Sequence, residues 1–222
     1  MKHIPYGRQF INKSDIDLVS SSLREDLITT GKNVEKFENK NSKFLKAKFA
    51  LSCSNGTAAL HLAFCAIRLK KNDTVIMPSV NFISAYNIVS NIGANIYLAD
   101  VDSKTGQMTP ETLLGCINKF KLKKIKAILT MYMGGYPENI PEFNRIKKRY
   151  KSILIEDACH AFGAKYYVKN KFYKVGSCNH SDIATFSFHP LKPITTAEGG
   201  LLTTNNKKFY SIAKIFRSHG II

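Results

Sequence analysis

The sequence predicts an α/β fold, a mostly parallel seven-strand sheet flanked by helices on both faces. Three observations predict it. From Lys48 onward, short β-branched runs alternate with stretches whose apolar residues recur at helical spacing. The runs around Val75 and Leu154 are apolar enough to be buried on both sides, as strands of a covered parallel sheet are. Asn55, Asp157 and Ser187 all fall at or just beyond strand ends, where open α/β sheets collect their ligands.

The elements follow in order. Residues 1–47 are polar and mostly helical, over 14–24 with Ser14 as N-cap and over 32–44, and they form an N-terminal arm. Residues 48–222 form the main domain. Its strands are expected over 48–53, 74–78, 95–100, 126–131, 152–157, 183–188 and 200–204. Its helices are expected over 57–68, 84–92, 110–120 with Pro110 in the first turn, 138–150 and 205–217. The last residues, 218–222, do not resemble the end of a domain.

With 222 residues and an apolar fraction of 44%, one large domain or two small ones can bury a core. No apolar run is long enough to span a bilayer, and the first ten residues lack the apolar stretch of a signal peptide, so a soluble, cytoplasmic protein is expected. Five scattered cysteines without a C-x-x-C pair fit reduced thiols rather than a disulfide framework. The net charge of +17 raises nucleic acid as a partner, but lysines cluster over 119–124 and 145–149 as solvated faces, and no nucleic-acid-binding motif accompanies them.

Lys192 lies among Phe188, Leu191, Pro193 and Ile194. Lysine seldom sits in apolar surroundings, and burial there would favour the neutral amine that Schiff-base chemistry needs. Pro190 and Pro193 hold the residues before them extended, so Lys192 is expected on a stiff, non-helical turn. A surface lysine in a proline-containing loop has the same local sequence. Asp157 ends an apolar strand, where pyridoxal phosphate (PLP) would need an anion at its ring nitrogen; a helix cap or a metal ligand are the alternatives. His160 can reach the same cavity or pack in the core. Gly56 and Thr57 open a helix after a strand, which suits a phosphate or a simple cap. Ser187 supplies a further hydroxyl, and Phe82 either stacks on a ring or belongs to the core.

The segments TTGKNVEKFE, LSCSNGTAALHLA, MPSVNFISAYNIV, IEDACHAFGA, ATFSFHPLKPITTAEGG and FRSHG together resemble the DegT/DnrJ/EryC1/StrS sugar aminotransferases of PLP fold-type I, from Ile4 to the last residue. The resemblance implies that Lys192 binds the PLP aldehyde, Asp157 partners the pyridinium and His160 lies near the ring oxygen. Gly56, Thr57 and Ser187 then match phosphate positions and Phe82 the stacking position. Tyr6 and the segment Asp26, Leu27, Ile28 and Thr29 match substrate-contacting positions. The wording is closest to the transaminases of pseudaminic acid biosynthesis, which implies a UDP-linked 4-keto-6-deoxy-N-acetyl-hexosamine and glutamate as substrates and a homodimer in full-length relatives. Family members continue into a small C-terminal domain absent from this sequence, so the resemblance also implies a truncated or partner-dependent PLP-binding fragment, or an aminotransferase for another keto sugar of the perosamine type. A metal hydrolase built from Cys159, His160, Cys178 and His180 lacks zinc-site spacing, so no metal is expected, and a Ser187–His160–Asp157 hydrolase lacks the G-x-S-x-G elbow.

Overall fold

The computed structural model describes residues 4–221. The arm contributes α1 (Lys13–Ser22) and α2 (Lys32–Leu45). The main body runs β1 (Phe49–Cys53), α3 (Gly56–Ala66), β2 (Thr74–Pro78), α4 (Ile83–Ile92), β3 (Asn95–Ala99), α5 (Pro110–Lys119) and β4 (Ala127–Met131). It continues through α6 (Ile140–Tyr150), β5 (Ile153–Asp157), β6 (Lys165–Val168), β7 (Lys171–Lys174), β8 (Ile183–Ser187), β9 (Gly200–Thr204) and α7 (Lys207–Arg217).

Seven strands form one sheet in the order β1-β9-β8-β5-β4-β2-β3. The pairings from β8 through β5, β4 and β2 to β3 are parallel, whereas β9 lies antiparallel to both β8 and β1. Every strand except β9 therefore points the same way. The carboxyl ends of β1, β2, β4, β5 and β8 share one edge with the first residue of β9.

Side chains alternate across this sheet, as the period of two requires. Leu51, Val75, Met77, Leu129, Ile155, Ile183 and Leu202 face one way and pack with α3, α4 and α7. On the opposite face Ile76, Ile128 and Leu154 pack with α5 and α6. Ala50, Ala184, Phe186 and Leu201, also on that face, are covered by Leu45 of α2 and by Tyr166 and Val175 of the β6–β7 region. Three of the segments that carry the resemblance meet at Glu38 of α2, which accepts from the Ser52 backbone and hydroxyl and pairs with Arg217 of α7 at 2.6 Å. That partly buried cluster ties the arm's second helix to both the first strand and the closing helix.

Two local elements of the fold differ from the sequence reading. The N-cap of α1 is Asn12, not Ser14: Asn12 accepts from the Asp15 N–H, Asp15 returns the bond, and the Ser14 hydroxyl donates to Asn12 instead. The capping box starting two residues earlier satisfies two orphan donors, which a serine one residue inside the helix cannot do. The β6–β7 hairpin was not anticipated. Its strands are only four residues long, and its turn residues Lys169 and Asn170, both at positive φ (44° and 60°), carry no glycine to announce a tight turn.

Replacing this turn by Lys169→Asn with Asn170→Gly supplies the residues that the left-handed conformation favours. It should raise stability by about 1 kcal/mol, seen as a rise in Tm of about 2–4 °C in a thermal melt.

Candidate active site

The shared edge of the sheet opens into a cavity of about 560 Å³, lined by Gly56, Thr57, Phe82, Asp157, His160, Ser187 and Lys192 among others. The residues come from the ends of β1, β5 and β8 and from the loop after β2, separated by more than a hundred positions in the chain. Their convergence is a product of the parallel topology.

The first wall is the start of α3. Asn55 caps it, its side chain accepting from the Ala58 N–H and its carbonyl from the Ala59 N–H. The N–H groups of Gly56 and Thr57 are left without an intrahelical acceptor at the positive end of the helix. Position 56 tolerates only hydrogen: a Cβ would stand 2.9 Å from the Ser187 Cβ and 3.0 Å from the Cys159 Sγ. Position 200 is tighter still, with a Cβ there falling onto the Asn55 carbonyl.

Asp157 forms the floor and is buried. Burial pushes its carboxyl up from the ordinary range. The Cys159 N–H (3.2 Å) and thiol, and the charges of His160 and Lys192, pull it back down. His160 titrates below its usual value, first because it is partly desolvated and then because Lys192 repels its proton, with Asp157 opposing both. These couplings place carboxylate, imidazole and amine within one electrostatic neighbourhood. Phe82 is 66% exposed and lines the cavity, so it is not a core aromatic. Ser187 ends β8, and its hydroxyl accepts from the His189 N–H.

Lys192 closes a β-turn, its N–H donating to the His189 carbonyl at 2.9 Å with Pro190 in the turn's second position. The apolar enclosure expected around it is absent. Lys192 is half-buried, and its neighbours Leu191 and Ile194 are 47% and 44% exposed. The segment leaves the sheet after β8 with two prolines that cannot join a ladder, so it stands out from the edge rather than folding under it.

Tyr6, Asp26, Leu27, Ile28 and Thr29 do not line this cavity. All five are exposed, Tyr6 to 96%. α1 buries no residue, so the arm around it is held to the body mainly by α2. Position 7 does approach the mouth, where a Cβ would meet Leu191. Thr30 instead borders a second cavity of about 410 Å³ between α2, β1 and α7, around the Glu38–Arg217 pair.

The cavity also takes residues that the sequence did not single out. Glu198 and His189 line it, and the His189 Nδ1 accepts from the Leu191 N–H. Asn81 accepts from the Phe82 N–H through its side-chain oxygen, leaving a buried amide nitrogen without a partner beside the cavity. None of these has a local signature, since each is an ordinary polar loop residue until the fold brings it to the rim. The four residues of the metal alternative separate: Cys159 and His160 lie at the cavity, Cys178 bonds Thr203 and His180 bonds Tyr166.

Comparison with known proteins adds identity to this geometry. Residues 9–222 match the model of the DegT/DnrJ/EryC1/StrS aminotransferase family. The chain is 36% identical over 219 residues to the UDP-4-amino-4,6-dideoxy-N-acetyl-beta-L-altrosamine transaminase of Campylobacter jejuni, covering 99% of this chain and 56% of that protein. It is 34% identical over 222 residues to the GDP-perosamine synthase of Escherichia coli O157:H7, covering 100% and 58%. Among solved structures, Helicobacter pylori PseC, an aminotransferase involved in the biosynthesis of pseudoaminic acid, superposes with a TM-score of 0.88 at 28% identity, covering 100% of this chain and 57% of that one. The chain thus spans just over half the length of the curated relatives it matches.

Two outcomes follow from the site's packing and electrostatics. Gly56→Ala should cost about 1–3 kcal/mol in a denaturant titration, because Ser187 and Cys159 must move to admit the methyl group. The second concerns Glu156, whose carboxyl burial raises from 4.5 to about 7; the hydroxyls of Tyr132 and Tyr166 and the thiol of Cys178 face it, and Lys147, whose charge opposes the rise, pairs with Asp182. The folded state then binds the extra proton, so the penalty is absent below about pH 4.5 and complete above about pH 7. Stability should fall by roughly 3 kcal/mol across that window from this group, and Glu156→Gln should flatten the fall in pH-dependent melts.

Proposed function

Since the chain belongs to the DegT/DnrJ/EryC1/StrS aminotransferase family, we propose that it forms the PLP-binding half of a nucleotide-sugar aminotransferase. The observation that carries the reading is the opening of Lys192, Asp157 and the Gly56–Thr57 helix start onto one cavity. An amine, a buried carboxylate and a donor-rich helix start suit the aldehyde, the ring nitrogen and the phosphate of that cofactor. A volume of about 560 Å³ leaves room for a substrate beside it. The clearance at Gly56, with no side chain between the helix start and Ser187, fits close approach of a phosphate.

When bound, PLP supplies an electron sink for bond breaking at an amino-acid Cα. The residues of this chain do the rest. Gly56 and Thr57 donate backbone N–H groups to the phosphate, with the Ser187 hydroxyl beside them. Asp157 would hold the proton on the ring nitrogen, and the Cys159 N–H orients that carboxyl and favours its charged form against the pull of burial. Phe82, which lines the cavity, would cover a ring face. His160 would approach the ring oxygen. Lys192 would hold the cofactor through its Nζ and, once displaced by the amino donor, would carry the proton between the donor's Cα and the cofactor's C4′.

For the amino donor we take glutamate, and for the acceptor C4 of a UDP-linked 4-keto-6-deoxy-N-acetyl-hexosamine, supported by the similarity to the altrosamine transaminases of Campylobacter jejuni. A GDP-linked keto sugar is the second reading, supported by the similarity to GDP-perosamine synthase.

Purified protein mixed with PLP should develop a visible absorbance band that Lys192→Ala abolishes. Glutamate alone should bleach the band, and the UDP-linked keto sugar should restore it faster than the GDP-linked one. An unchanged spectrum in Lys192→Ala would refute the lysine assignment.

A further inference from the structure

Asp157 and Glu156 are consecutive on β5, so the pleat sends them to opposite faces of the sheet. Asp157 faces the cavity. Glu156 is 1% exposed on the other side, near Tyr166, where its carboxylate accepts from the Tyr132 hydroxyl at 2.9 Å and from the Gly176 N–H at 3.4 Å. A buried carboxylate with no cation in contact is costly, and its persistence here has a geometric counterpart.

Tyr132 is the first residue after β4. Its own N–H donates to the Asp157 carbonyl at 3.3 Å, and its hydroxyl reaches Glu156. The residues on either side of it, Met131 and Met133, both line the cavity. The turn that follows is closed by the Gly135 N–H on the Tyr132 carbonyl and leaves position 135 pressed against the His160 carbonyl. The wall made by Met133 is therefore suspended from β5 at two points, one on the backbone of Asp157 and one on the side chain of Glu156.

We infer that Glu156 is a positioning residue for the cofactor site: through Tyr132 it fixes the Met133–Gly135 wall and the strand end that presents Asp157, from the face of the sheet the cofactor never touches. This rests on the PLP reading above. Removing the acceptor takes from the buried Tyr132 hydroxyl its 2.9 Å hydrogen bond and leaves only the Thr130 hydroxyl beside it, so the turn loses its tie to β5 through this side chain. A glutamine keeps an oxygen for that hydroxyl and so keeps the turn.

The test compares wild type, Glu156→Gln, Glu156→Leu, Tyr132→Phe and the Leu/Phe double variant. Each is measured for PLP dissociation constant and for the pH midpoint of the visible band, well below its own Tm. Glu156→Gln should bind within about twofold of wild type, whereas Glu156→Leu and Tyr132→Phe should each bind about tenfold more weakly with a displaced midpoint. The double variant should be no weaker than the worse single one, because both remove the same contact. Tyr132→Phe, which changes one buried atom, keeps the test decisive should Glu156→Leu fail to fold. Wild-type binding and midpoint in Tyr132→Phe, or losses that add in the double variant, would overturn the inference while leaving the cofactor reading intact. A wild type with no visible band overturns the cofactor reading and this inference with it.

Discussion

The site depends on backbones meeting without side chains between them. Asn55, just after β1, crosses the first residue of β9 so closely that Gly200 has room for hydrogen alone. One residue later Gly56 rests against Ser187 and Cys159, the ends of the elements from β8 and β5. Gly200 is itself paired with Cys53 on one side and Ser187 on the other. These approaches bring the free N–H groups of α3, the hydroxyl of Ser187 and the carboxylate of Asp157 around one volume, and a single methyl group at either glycine would separate them. Tight packing of this kind makes the cradle stiff, since close-packed interiors transmit strain rather than absorb it.

The strand ending in Glu156 and Asp157 divides two tasks between neighbours of the same chemistry. Both carboxyls are buried and both are pushed up by it. What separates them is their surroundings. Asp157 has His160 and Lys192 nearby and a backbone N–H of its own, all favouring the charged form. Glu156 has a tyrosine hydroxyl and a backbone N–H, with Lys147 committed to Asp182. The same alternation that gives the sheet two apolar faces thus gives β5 one acid directed at the cavity and one directed at the structure behind it.

The carboxyl edge of the sheet opens into the cavity. The faces are packed by helices and by the β6–β7 hairpin, but the turn carrying Lys192 and the arm around α1 stand in solvent with Leu191, Ile194, Ile16, Leu18 and Val19 exposed. An amine at such an edge is accessible to a ligand.

The seven strands of the main sheet, the main helices and the alternation of strands with helices were legible in the sequence because periodicity is a local property, read over five to a dozen residues. Asp157 and Ser187 were legible as candidates because a parallel sheet collects its ligands at strand ends, Gly56 and Thr57 because they open a helix, and Lys192 because of its apolar and proline neighbours, while the family resemblance supplied the roles of Phe82 and His160. Other features were decided only by the tertiary structure. The β6–β7 hairpin, with a Lys-Asn turn and four-residue strands, exists because it covers Ala184, Phe186 and Leu201. Asn81, His189 and Glu198 join the cavity through loops whose course no local pattern states, and the openness around Lys192 reverses the enclosure its apolar neighbours suggested. Burial and convergence are sums over contacts between residues far apart in the chain, and a local sequence pattern carries only the part of that sum that neighbours contribute.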